Sequence, residues 1–408
     1  MAEHVASAAV KRRRWPAAGI AVLVSVLAVA APGPAWAAPA PRVPTPTPEP
    51  PLPGQGPGGE PVGGARLGSV AVQAPLGAPP VPKNISARGW VLADLDSGEV
   101  LATRNAHGRF PPASTLKLLT ALTLLPRLTN KKQVVACVNA DINVDGTRVG
   151  LVAQGRYTVD VLFQSMLMAS GNDAANTLAR VSGGVPRTVA AMNAEAQRLQ
   201  AFDTHAATPS GLDGPGQLTS AYDLALITRA ALGRADFRKY TAQRIGRIPA
   251  QKPKFAAFEF ANSNKLLYNY PGAIGGKNGF TDAARHTFVG AATRGSRRLV
   301  ITFLYGEHRP TQLSEQAARM LDWGFALRPS VRPVGTLVDP VDPDATPTAS
   351  STPAPVDPAP VPPGAVAASD RNPGTAGDGA PTAVLAGGLL GAVALVWGGV
   401  ALARRRSP

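Results

Sequence analysis

Two proline-rich segments bracket one stretch of the chain and limit where a packed fold can form. Residues 38–84 are rich in Pro and Gly, residues 329–382 are rich in Pro, Ala and Thr, and neither has apolar periodicity. Segments of this composition bury little apolar surface and are typical of flexible or extended linkers. We therefore expect one ordered domain over residues 85–328.

The first 37 residues have the pattern of a secretory signal peptide. A basic cluster at 11–14 precedes an apolar run at 17–31, and Ala35-Trp36-Ala37 forms a small-x-small cleavage site. We expect Ala38 to be the first mature residue. The alternative is an N-terminal membrane anchor, but the apolar run is short for one.

A second apolar run, near the C-terminus, predicts a transmembrane helix. Residues 383–403 carry no charge, and three arginines follow at once in the tail 404–408. A helix of this length spans roughly 30 Å, about one bilayer core. Arginines beside such a helix favour the cytoplasm, so we expect the domain on the outer side of the membrane. The alternative, a buried core helix, does not suit a segment that follows a proline-rich linker.

The composition excludes some classes of function. Part of the net charge of +15 belongs to the basic segments at the two ends, and no run interleaves lysines with aromatic residues as nucleic-acid binders do. A general attraction to an anionic cell surface or wall polymer is the more modest inference. The single cysteine, Cys137, excludes an internal disulfide, and its valine neighbours predict a buried strand residue.

The order of the periodic segments indicates an α+β fold. Strand patterns open and close the stretch and helical patterns fill its middle, which suits an antiparallel sheet flanked by helices with a mostly helical subdomain. The predicted strands are 89–95, 99–102, 287–292 and 298–304, and the predicted helices are 114–125, 158–168, 173–180, 187–199, 219–232 and 313–325.

Ser114 and Lys117 form the first of three motifs that carry chemistry. Three residues apart on a helix is about one turn, so the two side chains share a face. A serine hydroxyl needs a base to become a nucleophile, and a lysine can be that base if burial and nearby positive charge lower its pKa. An isolated Ser-x-x-Lys is weak evidence, since a solvated helix start has the same pattern.

The second motif is Ser170-Gly171-Asn172, in a predicted turn between two helices. A second hydroxyl at such a turn can relay a proton to a leaving amine. The amide of Asn172 can hold a substrate carbonyl and also Lys117. Taken alone, this tripeptide is an ordinary helix-capping loop.

The third motif is Lys277-Asn278-Gly279, followed by Phe280 and Thr281. Alternation along a strand points Lys277 and Gly279 to one face, and Gly279 leaves room for a substrate along the strand edge. Lys277 supplies positive charge, and Thr281 can donate to a carboxylate. The alternative is a hairpin turn, because Asn-Gly favours turns.

Each motif occurs once, and together they are far more specific than any one alone. With them the chain resembles the serine-type D-alanyl-D-alanine carboxypeptidases, the low-molecular-weight penicillin-binding proteins, over roughly residues 85–328. Further segments that look like family signatures are 109–114, 157–160, 170–175, 210–213 and 221–225.

The resemblance implies a β-lactamase/transpeptidase-like fold and acyl transfer without a metal or other cofactor. Ser114 would attack the bond between two D-alanines of a peptidoglycan stem peptide, or a β-lactam antibiotic, with Lys117 as its base. The same resemblance places an oxyanion hole at the N–H groups of Ser114 and Phe280. It also assigns Lys277 and Thr281 to the terminal carboxylate.

Two departures from the family and three rival functions accompany this interpretation. Asn278 replaces the usual threonine, and the proline-rich linker stands where many relatives carry a β-rich second domain.

A class A-like β-lactamase would need a positioned carboxylate, and no convincing Glu-x-x-x-Asn is present. A non-catalytic wall-binding protein is hinted at only by Asn278. A zinc peptidase would need clustered ligands, whereas the histidines (4, 107, 205, 286 and 308) are scattered. Arg309 is a candidate for carboxylate binding, with a surface role as the alternative.

Overall fold

An antiparallel sheet forms the centre of the computed structural model, which describes residues 53–328 and 330–341. Its strands are β1 (Val72–Gln73), β2 (Gly89–Asp94), β3 (Glu99–Arg104), β8 (Ala273–Thr281), β9 (Arg285–Arg294), β10 (Arg297–Gly306) and β11 (Gly335–Thr336). The strand order is β1-β3-β2-β10-β9-β8, and β11 also pairs with β3. Strand β8, which carries the third motif, therefore lies at one edge of the sheet.

Helices and two small two-stranded sheets complete the described part of the chain. The short strands are β4 (Val134–Ala136), β5 (Arg156–Thr158), β6 (Ile245–Ile248) and β7 (Phe258–Ala261). The helices are α1 (Lys117–Leu124), α2 (Asn139–Ile142), α3 (Val159–Met168), α4 (Asn172–Val181), α5 (Val185–Arg198), α6 (Ala221–Leu232), α7 (Ala235–Ala242), α8 (Leu266–Asn269) and α9 (Leu313–Ala326). These elements confirm the α+β class and place most helices between β3 and β8 in the sequence.

Both faces of the sheet are buried, and successive side chains of β2 point alternately into the two cores. Trp90 and Leu92 pack with α9 on one face, whereas Val91 and Ala93 belong to the core that contains α1, α3 and α6. On this second face the hydroxyl of Thr302 in β10 donates to the carbonyl of Ala221, 2.8 Å away, and joins the sheet to α6. The helical subdomain is thus joined to the middle of the sheet through β10.

Most predicted helices are present with shifted ends. Thr158 caps α3 as predicted, because its Oγ1 accepts from the N–H of Val161 at 3.3 Å. The predicted helix 114–125 instead begins as a 3-10 turn over Ala113–Leu116 and becomes α1 only at Lys117. Residues three apart eclipse in a 3-10 turn, so Ser114 and Lys117 lie one above the other. The helix α7 and the β6–β7 hairpin were not predicted.

Residues 53–84 depart from the linker that their composition predicts. Strand β1 pairs with β3, the indole N–H of Trp323 donates to Pro79 O at 3.1 Å, and Leu67 is buried. At the other end β11 lies beyond the predicted boundary at residue 328 and also pairs with β3. The packed domain therefore begins before residue 85 and continues after residue 328, since partners distant in sequence supply its contacts.

The remaining predictions about the ends of the chain concern residues that lie outside the described part. These are the signal peptide 1–37, the rest of both linkers, the transmembrane segment 383–403 and the tail 404–408. Among the helices in the described part, none has both the length and the apolar composition needed to cross a bilayer.

Candidate active site

Ser114 and Lys117 meet at the start of α1. Lys117 is buried, and its Nζ lies 2.9 Å from Ser114 Oγ. The nucleophile turn, Ala113–Leu116, is held in place from β9, because Thr287 Oγ1 donates to Pro112 O at 2.9 Å. The predicted pairing of hydroxyl and amine is therefore present in the structure.

The surroundings of Lys117 determine which way its lone pair points. Its Nζ also lies 2.7 Å from Asn172 Oδ1 and 2.6 Å from Ser210 O, and both of these oxygens can only accept. A neutral amine has two hydrogens, which these two acceptors take. The lone pair then faces the hydroxyl of Ser114, as a general base requires.

Asn172 and Ser170 reach this centre from the loop before α4. Asn172 Nδ2 donates to Asp145 O at 2.7 Å, which fixes the amide so that its oxygen faces Lys117. Ser170 has a left-handed backbone with φ 63 and lines the cleft together with Ser114. The structure thus brings the second motif to the first, as predicted.

Burial and like charge lower the basicity of the two cleft lysines. Burial lowers the pKa of Lys117 well below its usual value, the positive charge of Lys277 lowers it further, and Asp173 opposes both effects. Burial lowers the pKa of Lys277 to about 7. Neither lysine forms an ion pair with any carboxylate of the described residues. Two buried amines without an acidic partner favour an anionic ligand in this cleft.

Gly279 has a second role besides the predicted one. A Cβ added there would lie 2.6 Å from Ser114 N and 3.0 Å from Ala113 Cβ. The missing side chain therefore makes room for the nucleophile turn against β8, in addition to leaving the strand edge open. Lys277, on the same strand, is buried, and its Nζ donates to Asn278 O at 2.7 Å.

We expect Gly279→Ala to slow acylation of Ser114 about 100-fold, because displacing a reacting group by about 1 Å has an effect of that order. The measurement is the rate of labelling by a fluorescent penicillin, with thermal unfolding recorded to confirm folding. Gly58→Ala is the matched control, since no atom lies within 4 Å of its added Cβ. Acylation within twofold of the wild type in Gly279→Ala would contradict the close packing of the turn on β8.

The cleft between β8 and the helical subdomain has a volume of about 330 Å³. Phe280 stands half-exposed at its mouth, with its ring centroid 4.6 Å from that of His286. Asn278 also lines the cleft, where its Oδ1 accepts from Ser263 Oγ at 2.7 Å. Arg309 is exposed and is not among the residues that line the cavity.

Thr281 is committed elsewhere in this structure. Its hydroxyl donates to Asp213 Oδ1 at 2.9 Å and accepts from the N–H of Ala284 at 3.0 Å. The role predicted for Thr281, donation to a substrate carboxylate, would require it to leave Asp213. Like Lys117, Asn172 and Lys277, which are buried, Thr281 is not among the residues that line the cavity.

Two contributors to the site were missed from the sequence. The backbone carbonyl of Ser210 binds Lys117, and a carbonyl leaves no trace in residue type. Asp173 is fully buried, and its carboxylate accepts the N–H groups of Val149, Gly150 and Leu151 at 3.0–3.1 Å. Asp173 thereby fixes the loop whose Thr147 lines the cleft.

The histidines were predicted to be scattered, without other possible metal ligands beside them, and for His107 this prediction is wrong. The ligand atoms of His107, Asp203 and Asp223 all lie within 4.8 Å of one another, and the three residues are buried. The arrangement does not suit a metal, because His107 Nδ1 lies 2.9 Å from Asp203 Oδ2 and Nε2 lies 3.0 Å from Val62 O. Both ring nitrogens are therefore already hydrogen-bonded, and neither is free to bind a metal. The cluster instead holds residues 54–62 on the domain, where Asp203 also accepts from Gly54 N at 2.8 Å.

Cys137 is buried and free, as predicted, although it lies just beyond the end of β4. Burial raises the pKa of its thiol to about 11. A protonated buried thiol is inert, so Cys137 has a packing role.

Comparison with known proteins gives a consistent set of matches. The family model described as D-alanyl-D-alanine carboxypeptidase, peptidase S11, matches residues 74–307. The D-alanyl-D-alanine carboxypeptidase DacB2 of Mycobacterium tuberculosis is 48% identical over 268 residues, which cover 64% of this chain and 90% of that protein. DacF of Bacillus subtilis is 30% identical over 245 residues, covering 59% of this chain and 62% of its own length.

Solved structures agree with these matches. A D-alanyl-D-alanine carboxypeptidase from Mycobacterium tuberculosis superposes with a TM-score of 0.61 at 46% identity, covering 65% of this chain and 99% of that one. A DD-transpeptidase from Streptomyces superposes with a TM-score of 0.57 at 26% identity, covering 61% and 100%. The similarity therefore extends over the sheet, the helical subdomain and the cleft between them.

Proposed function

Since the chain belongs to the D-alanyl-D-alanine carboxypeptidase family, we propose that it removes the terminal D-alanine from peptidoglycan stem pentapeptides through an acyl-enzyme on Ser114. The observation that carries this assignment is the placement of Lys117 Nζ, 2.9 Å from Ser114 Oγ, with its hydrogens directed to Asn172 and Ser210.

Each step uses a group of the cleft. Lys117 takes the proton of Ser114, whose Oγ attacks the carbonyl between the two D-alanines. The N–H groups of Ser114 and Phe280 stabilise the oxyanion, and donors of this kind are typically worth about 3 kcal/mol each. The peptide bond breaks, the nitrogen of the leaving D-alanine receives a proton through Ser170, and water then hydrolyses the ester to regenerate Ser114.

Lys277 binds the substrate carboxylate in this proposal. It is buried at the edge strand without an acidic partner in the described part of the chain, so an incoming carboxylate satisfies its charge. The same group accounts for binding of β-lactams, which also carry a carboxylate. No metal or other cofactor enters the scheme.

The proposal is tested by release of D-alanine from a soluble pentapeptide, together with the lifetime of the penicillin adduct. We expect release of D-alanine and an adduct that persists far longer than seconds, because no carboxylate lines the cleft among the described residues to drive deacylation. Turnover of penicillin within seconds without D-alanine release would favour a β-lactamase. Failure of penicillin to label the chain at all would favour a non-catalytic wall-binding protein.

We propose further that the chain is exported and held at the membrane by residues 383–403, with the catalytic domain on the cell-wall side. The support is the signal-peptide pattern at 1–37 and the uncharged run followed by arginines. Membrane fractionation tests this: the full chain should sediment with membranes, and a chain ending at residue 382 should be released. Sedimentation of both alike would reject the anchor.

A further inference from the structure

The hairpin formed by β6 and β7 exposes aromatic side chains to solvent. Phe255 in its connecting loop is 50% exposed, and Phe258 at the start of β7 is 42% exposed. Single exposed apolar residues are common, but aromatic residues grouped around a depression mark a binding surface. We call this group, with the cavity beside it, the hairpin surface.

A cavity of about 200 Å³ separates the hairpin from the neighbouring loop of the helical subdomain. Gly150 and Tyr157 line it from one side, and Lys254, Phe255 and Phe258 line it from the hairpin. The wall thus combines aromatic faces with an amine, which is the composition of a site for an amphipathic ligand.

The hairpin surface and the catalytic cleft are lined by residues of the same loop. Thr147 lines the cleft with Ser114, and Gly150, three residues further along the same loop, lines the hairpin cavity. Asp173 holds this loop rigid through the N–H groups of residues 149–151. A substrate whose peptide enters the cleft therefore has its remaining parts close to the hairpin surface.

The base of the hairpin is also fixed. Gln251 Oε1 accepts from Arg156 N at 2.7 Å, and its Nε2 donates to Arg156 O at 3.2 Å, which joins the hairpin to β5. Arg247, Lys252 and Lys254 are exposed and form no ion pair within the described residues. These cations leave hydrogen-bond donors available around the aromatic side chains.

We propose that the hairpin surface binds the glycan strand of polymeric peptidoglycan, to which the stem peptide in the cleft is attached. The C–H faces of sugar rings pack on Phe255 and Phe258, and Lys254 donates to hydroxyl or acetamido oxygens. The cations attract carboxylates of neighbouring stem peptides. This inference rests on the proposed function for the identity of the polymer and adds a second binding site outside the cleft.

The first test measures binding without catalysis. In a Ser114→Ala full chain, Phe255→Ala with Phe258→Ala should weaken co-sedimentation with purified, insoluble peptidoglycan about tenfold, as expected for the loss of two aromatic anchors. The matched control is Val72→Ala with Leu76→Ala, because both side chains are exposed and Val72 lies on β1, at the opposite edge of the sheet from β8. We expect the control to bind like its parent, and equal binding by all three proteins would overturn the proposal.

The second test separates the hairpin surface from the cleft. With Ser114 intact, the aromatic double variant should keep its kcat/KM on a soluble pentapeptide and lose about tenfold on polymeric peptidoglycan. Equal loss on both substrates would place the effect in the cleft or in folding, and would reject a separate glycan site. A change of oligomeric state in light scattering would assign the surface to a second copy instead. If neither substrate is cleaved, the proposed function fails, whereas the sedimentation result still decides this inference.

Discussion

Ser114→Ala is expected to lower D-alanine release from a pentapeptide by at least about 10⁴-fold and to abolish covalent labelling by penicillin. The hydroxyl is the only group of the proposed mechanism that forms a bond to the acyl carbon. Its loss leaves the lone pair of Lys117 without a proton to accept. Substrate binding through Lys277 should survive, so the loss should appear in kcat rather than in KM.

The matched control for this variant is Ser296→Ala. Ser296 is an exposed serine in the turn between β9 and β10, so its replacement tests whether losing any surface hydroxyl lowers the rate. We expect this control to keep wild-type activity. Release of D-alanine by Ser114→Ala at more than a few per cent of the wild-type rate would reject Ser114 as the nucleophile.

Lys117→Met should reduce the rate of acylation about 10³-fold, within the range typical of a lost general base. Methionine fills a similar volume without the amine, so the buried site beside Ser114 stays occupied. Asn172 Oδ1 and Ser210 O lose their shared donor, and we expect a small loss of thermal stability from this. Lys117→Arg should be equally inactive, because a guanidinium stays charged and cannot accept the proton.

The pH profile separates this role from a structural one. Lys117 acts only as the neutral amine, so the wild-type kcat/KM should fall as pH falls through its depressed pKa. Lys277 acts only as the cation, so kcat/KM should also fall as pH rises through about 7, the pKa of Lys277 in the free enzyme. The residual activity of Lys117→Met should lack the acidic limb. An unchanged acidic limb in that variant would show that another group is the base.

The reactive centre could be predicted from the sequence because its chemistry lies in side chains with fixed spacing. Ser114 and Lys117 are three residues apart, and helical geometry alone brings them together. Asn172 and Lys277 are distant in sequence, and only their resemblance to family motifs placed them in one cleft. The structure joins Asn172 to Lys117 by a hydrogen bond and places Lys277 on β8, two residues before the Gly279 that packs on the nucleophile turn, whereas it leaves Thr281 bound to Asp213.

What the sequence did not predict depends on contacts between distant residues. Residues 53–84 have the composition of a linker, yet β1 pairs with β3 and the buried His107–Asp203 pair holds residues 54–62. The carbonyl of Ser210 and the space left by Gly279 are properties of the backbone, which residue type does not reveal. The β6–β7 hairpin, rich in Pro, Lys and Phe, has no clear alternation, and Gln251 in its loop is bonded to Arg156, which is distant in sequence.

The central claim is that the hydroxyl of Ser114, activated by Lys117, is the group that becomes acylated. The most direct test is to incubate the full chain with benzylpenicillin, digest it, and locate the added mass by tandem mass spectrometry. We expect one adduct per chain, on the peptide that contains Ser114, and none in Ser114→Ala. An adduct on Ser170 or on any other residue, or D-alanine release by a chain that penicillin never modifies, would contradict the account.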